Sequence, residues 1–169
     1  MDNNNKHPLW ENIFRRKDDR ITEICRLWSS TPLFKRIPQL YIRRLVKNMH
    51  PRFYKTNESI FTTGDIGAGA AIIKSGEINI MAGNNVLANL KAGDFFGEVS
   101  LVVDEPRTAD AIASTDCELI FFLRTDLEEW VHSSPKQGAQ LMANISRVLA
   151  GRLRHANDML TEKNNSSSL

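Results

Sequence analysis

Seven of the nine glycines fall between Gly64 and Gly97, where they cut the sequence into short runs of β-branched and other apolar residues. Such punctuation specifies strands joined by tight turns. The candidate strands are Ser59 to Thr62, Ala70 to Lys74, Glu77 to Met81, Val86 to Leu90, Ala109 to Ala113 and Glu118 to Leu123. Ser75-Gly76 and Gly83-Asn84-Asn85 supply the positive φ angles that the connections need. Many short strands at regular spacing point to a sandwich or barrel, and a rolled double sheet, the jelly roll, is one way to manage its edges.

The flanks carry a helical period instead. Leu9, Trp10, Ile13 and Phe14, then Ile21, Ile24, Leu27 and Trp28, recur at three and four residues. Pro32 and Pro38 punctuate the chain around Leu33 and Phe34. A further helix with Leu40, Ile42, Leu45, Val46 and Met49 apolar should stop before Pro51. The period returns after Thr125, restarts at Pro135 and runs to about Leu160. There Met142, Ile145, Leu149, Leu153, Ala156 and Leu160 form an apolar stripe that can pack on the barrel or on a second copy; a homodimer through this helix is the expectation carried forward. The expected organisation is a helical segment over 1–56, a β jelly roll over 57–125, helices over 126–160 and a disordered polar tail over 161–169. The fold class is α+β, mainly β.

Net charge is +2, but its distribution is uneven. Residues 1–56 carry thirteen basic and five acidic side chains, residues 57–130 four and thirteen. The basic residues Arg15, Arg16, Lys17, Arg36, Arg43, Arg44 and Lys47 are dispersed among apolar ones, which reads as a solvated helix face rather than a DNA-binding arm. No apolar run reaches membrane-span length and no signal peptide is evident, so a cytoplasmic protein is expected. Cys25 and Cys117, without a CxxC or a His cluster, read as small buried residues, and no metal site is expected. The four histidines are scattered and neither GxSxG nor HExxH occurs, so no catalytic set is expected.

One stretch carries chemistry: Gly93-Asp94-Phe95-Phe96-Gly97-Glu98-Val99-Ser100-Leu101, followed by Pro106-Arg107-Thr108-Ala109. A glycine leading into a short helix offers backbone N–H groups to an anion. Arg107 is the one arginine between Arg52 and Arg124. Its guanidinium can clamp a phosphate in bidentate fashion, leaving Glu98 to accept from a sugar hydroxyl. Local charge alone favours a structural salt bridge of Arg107 with Asp104, Glu105 or Asp110.

The joint spacing resembles the phosphate-binding cassette of cyclic nucleotide-binding domains, found in catabolite activators, kinase regulatory subunits and gated channels. Ile60-Phe61-x-x-Gly64-Asp65, Ile72-Ile73-Lys74-Ser75-Gly76 and Leu90-x-x-Gly93-Asp94 are similar to the family's strand and turn markers, in order. The resemblance implies a jelly-roll barrel with N-terminal helices and a long C-terminal helix. It implies Arg107 on the cyclic phosphate of cAMP or cGMP and Glu98 on the ribose 2′-hydroxyl, with Phe96, Gly97, Val99, Ser100, Thr108 and Ala109 lining the pocket. Thr108 leaves cGMP open. Arg152, Ala156 and Asn157 are the candidates to cap the base. No winged helix follows, so the expectation is a sensor without DNA or membrane partners, with no cofactor beyond the nucleotide, signalling to an unknown protein through its flanking helices. The alternative is a jelly-roll interaction and dimerisation protein that binds no nucleotide.

Overall fold

A computed structural model describes residues 8–49 and 51–166. Two helices lead, α1 (Pro8–Ser30) and α2 (Gln39–Leu45), with 3-10 turns at Pro32–Phe34 and Val46–Asn48. Eight strands follow: β1 (Pro51–Tyr54), β2 (Ser59–Phe61), β3 (Gly69–Ser75), β4 (Glu77–Ala82), β5 (Asn85–Lys91), β6 (Phe95–Phe96), β7 (Asp110–Ala113) and β8 (Cys117–Leu123). Helices α3 (Arg124–Ser133) and α4 (Pro135–Ser166) complete it.

The strands form two four-stranded antiparallel sheets, ordered β1-β8-β3-β6 and β2-β7-β4-β5. Side chains alternate across a strand, so β3 serves two cores. Ala71 and Ile73 point inward with Ile78, Ala111, Ala113 and Leu119 between the sheets. Ala70 and Ile72 point outward with Ile120 and Phe122, onto the helices. Burial on both faces is why β3 and β8 read as nearly unbroken apolar runs.

The helical spacing in α1 turns Ile21, Ile24, Cys25 and Trp28 onto this outer layer. Trp28 meets Phe34 and Phe122 at ring distances of 5.7 and 5.9 Å, both edge-on. Each such fully buried side chain contributes about 1.5–3 kcal/mol, which holds the helices against the sheet. Cys25 and Cys117 are both buried and unpaired. Among the described residues, no helix is long and apolar enough to cross a membrane, and no cluster suited to a metal ion occurs.

Three expectations change. Strand β1 lies inside the segment read as helical to residue 56, and its register with β8 (Pro51 opposite Ile120, Tyr54 opposite Cys117) makes it an edge strand. It escaped the reading because no glycine-bounded apolar run marks Pro51-Arg52-Phe53-Tyr54 off from the helical period before it. The tail does not begin at residue 161, since α4 continues to Ser166; Ser167 to Leu169, like Met1 to His7, lie outside the described residues. The α4 stripe is split. Ile145 is buried and Leu149 packs on the core, whereas Met142, Leu153 and Leu160 are 38%, 64% and 62% exposed.

Candidate functional site

Phe96, Gly97, Glu98, Val99, Ser100, Arg107, Thr108 and Ala109 all line one cavity of about 450 Å³. That volume lies within the usual range of small-molecule sites. The segment after Gly97 is a single 3-10 turn, Glu98–Leu101, rather than a helix. So short an element has little macrodipole, which leaves the Arg107 and Arg152 side chains as the positive charges lining the cavity. Gly97 adopts φ 78°, and a Cβ there would stand 2.8 Å from Arg107 Nη1 and 3.0 Å from the Gly69 carbonyl oxygen. Glycine therefore permits both the left-handed turn and the approach of the guanidinium.

The backbone of Arg107 is clamped by the Gly64-Asp65 turn. The Gly64 N–H donates to the Arg107 carbonyl at 2.9 Å and the Arg107 N–H to the Asp65 carbonyl at 2.8 Å. Asp65 itself is fixed by the Thr62 N–H, which donates to its carboxylate at 2.7 Å. The guanidinium donates to the carbonyls of Gly97 (3.3 Å) and Gly69 (2.9 Å) and stacks 4.1 Å from the Phe61 ring centroid. None of the three nearby acids takes it. Asp104 pairs with Arg124 at 2.7 Å, and Asp110 accepts from the Thr63 N–H and hydroxyl at 2.6 and 2.8 Å. Glu105 lines the cavity, yet among the described residues no carboxylate forms a salt bridge with Arg107. Partial burial lowers the Arg107 pKa below its ordinary value, with Glu98 and Asp65 opposing the shift. Even so lowered, a guanidinium keeps its charge at neutral pH.

Glu98 is buried, at 2% exposure. Its carboxylate accepts from Arg152 Nη1 at 2.6 Å, and Arg152 Nη2 donates to the Phe95 carbonyl at 2.9 Å. The Arg152 guanidinium also lies 5.0 Å from the Phe95 ring centroid. Helix α4 is thus tied directly to the turn that holds Glu98. Of the three base-cap candidates, Arg152 alone lines this cavity. Ala156 lines a separate groove, and Asn157 lines neither, its carbonyl accepting from the Thr161 hydroxyl at 3.0 Å. Phe61, Ile80, Ala88 and Leu90 complete the apolar wall. These four were missed as site residues, although strand alternation was a signal. Ile80 faces Ala88 and Ile78 faces Leu90 in the register of β4 and β5, so Ile80, Ala88 and Leu90 share one face, while Phe61 comes from β2.

Comparison with known proteins shows the family to which the fold belongs. Residues 51–134 match the family model of the cyclic nucleotide-binding domain, and the chain belongs to that family. Its relatives include the "CRP-like cAMP-activated global transcriptional regulator" of Mycobacterium tuberculosis, 30% identical over 77% of this chain and 58% of the relative. The "Cyclic AMP receptor protein" of Thermus thermophilus is 30% identical over 75% of this chain and 59% of that protein. The chain thus spans under three fifths of these two relatives. The solved structure of a cyclic nucleotide-binding domain from Methylobacillus flagellatus superposes with a TM-score of 0.74 and 25% identity, covering 86% of this chain and 85% of that one.

Proposed function

We propose that this protein binds a cyclic purine nucleotide, cAMP or cGMP, and acts as a regulatory sensor whose output is movement of α4. The observation that carries the reading is the convergence of Glu98 and Arg107 on one cavity with an apolar wall. Arg107 uses two of its five N–H donors on backbone carbonyls. The rest can hold the cyclic phosphate bidentately, where a lysine would offer a point charge only. Glu98 accepts the ribose 2′-hydroxyl, and the base lies along Ile80, Ala88 and Leu90 with Thr108 and Arg152 at the rim.

Transmission follows from the Glu98–Arg152 pair. When the ribose hydroxyl engages Glu98, the contact that ties α4 to the turn is weakened or remade, so nucleotide and helix position are linked. The nucleotide moves α4 only by its differential affinity for the two helix positions, and a partner reading α4 must in turn alter nucleotide affinity. The exposed side chains Met142, Leu153 and Leu160 lie on one face and suit pairing with a second copy. The protein acts in the cytoplasm, catalyses no reaction and needs no metal in this reading. Calorimetric titration with cAMP, cGMP and the linear 5′-monophosphates tests it. Saturable binding of a cyclic nucleotide in preference to its linear counterpart is expected. Failure of both cyclic nucleotides to bind would leave a jelly-roll interaction protein.

A further inference from the structure

A second and larger concavity, about 650 Å³, runs between the turn after α1 and the exposed half of α4. Its chemistry is one-sided. Lys35, Arg36, Arg147 and Arg152 line it with His155, and among the described residues no Asp or Glu does. Pro32, Val148, Ala156 and Met159 supply an apolar floor. The wall is held in place, because Asn144 Nδ2 donates to the carbonyls of Leu33 and Lys35, both at 2.8 Å. At about 1.5 Å per residue, the α4 residues from Asn144 to Met159 span roughly 22 Å, the length of four helical turns. At about 100° per residue, Val148, Arg152, His155 and Met159 sit roughly a third of a turn around α4 from Met142, Leu153 and Leu160. The groove is therefore distinct from the face proposed for self-pairing.

We infer that this groove docks an acidic amphipathic helix of a partner protein, and that Arg152 couples the docking to the nucleotide site. A concave apolar floor between cationic walls matches a helix with an apolar stripe flanked by carboxylates. A nucleic acid backbone has no use for such a floor, and a flat bilayer cannot enter a groove. Arg152 borders both the groove and the cavity and is bonded to Glu98. Whatever takes over Glu98 releases the guanidinium to the groove, where it adds attraction for the acidic helix. By linkage the acidic helix draws Arg152 off Glu98 and favours the ribose hydroxyl there. The coupling to nucleotide rests on the function proposed above; the docking does not.

The test uses the full chain and a fluorescent sixteen-residue peptide with Leu at i, i+3, i+4 and i+7 and Glu elsewhere, beside a control with Gln for every Glu. Anisotropy should report saturable binding of the Glu peptide and much weaker binding of the Gln peptide. Lys35→Glu with Arg147→Glu should weaken it about tenfold or more. The milder pair Lys35→Gln and Arg147→Gln should show the same direction, with melting curves confirming the fold. Without any nucleotide, Glu98→Gln should tighten the peptide about fivefold, and adding Arg152→Gln should cancel that gain. Equal binding of both peptides, no binding, an unmoved affinity in Glu98→Gln, or tighter capture of duplex DNA or phosphatidylserine vesicles by the same residues would overturn the inference. Because these arms contain no nucleotide, their failure is separate from failure of a cyclic nucleotide to bind.

Discussion

Replacing Arg107 with alanine probes the site most directly, because its guanidinium lies in the cavity without a carboxylate partner among the described residues. Losing one member of a desolvated charged contact costs about 2–5 kcal/mol. At about 1.4 kcal/mol per decade, cyclic nucleotide affinity should fall roughly thirty- to several-thousand-fold. The free protein also changes, since the Gly97 and Gly69 carbonyls lose their donors at 3.3 and 2.9 Å and Phe61 loses its stacked cation at 4.1 Å. Each lost bond is worth about 1 kcal/mol, reduced here by water entering the open cavity. A chain of this size melts about 2–4 °C lower per kcal/mol, so a drop of a few degrees should accompany a far larger loss of binding. Arg107→Lys should fall between wild type and alanine, because charge remains but the planar fork does not. Calorimetry with cAMP and cGMP on the three proteins, each checked by thermal melting, decides the matter. An alanine variant that stays folded and keeps wild-type affinity would refute the phosphate assignment.

Glu98 should bind the ribose, so a 2′-deoxy cyclic nucleotide should lose about 1.5–3 kcal/mol against wild type and much less against Glu98→Gln; equal losses would put the ribose contact elsewhere. Amide exchange across residues 140–160 should slow on nucleotide addition if α4 is the output element, and unchanged exchange would move the output to the N-terminal helices. In sedimentation the full chain should be a dimer and a chain truncated after Ala150 a monomer; a monomeric full chain would remove the pairing face. Asp116 accepts from Lys55 Nζ and from the Thr56 N–H and hydroxyl, which hold its pKa down at about 2. A depressed carboxylate pKa stabilises the fold above the unfolded value of about 3.9. The melting-temperature gap between wild type and Asp116→Asn should therefore be full at neutral pH and close as pH falls through about 2. A gap that persists in acid would count against that ion-paired turn.

Legibility in the sequence tracked the range of the interaction. Six of the strands are set by alternation and turn chemistry, which are local, and each was placed to within about two residues of its observed ends. Strands β1 and β6, with four and two residues, are held mainly by register with β8 and β3, and no window of sequence carries that information. That residues 96–100 and 107–109 line one cavity was legible because motif spacing fixes them within one stretch. Phe61 and Leu90 were readable as strand residues but not as walls, since their role depends on how the sheet curls around the turn. Arg152 stood among three candidates on α4. Choosing it required the docking angle of the helix, which Asn144 sets through the Leu33 and Lys35 carbonyls more than a hundred residues away in sequence.

In the function proposed above, the pairing of Glu98 is what connects the nucleotide cavity to α4. A carboxylate at 2% exposure cannot be left alone, because an unmatched buried charge costs several kcal/mol. Something must face it in every functional state, and in this state the partner is Arg152, donated at 2.6 Å from a helix that leaves the barrel. A ligand hydroxyl is a weaker partner than a guanidinium, so the exchange is tolerable only with Arg107 close enough to share the load; its coulombic interaction with Glu98 already opposes the burial shift of its own pKa. The two residues therefore act as a set. On that proposal Arg107 makes Glu98 releasable, Glu98 makes Arg152 movable, and the position of α4 follows what occupies a cavity on the other side of the turn.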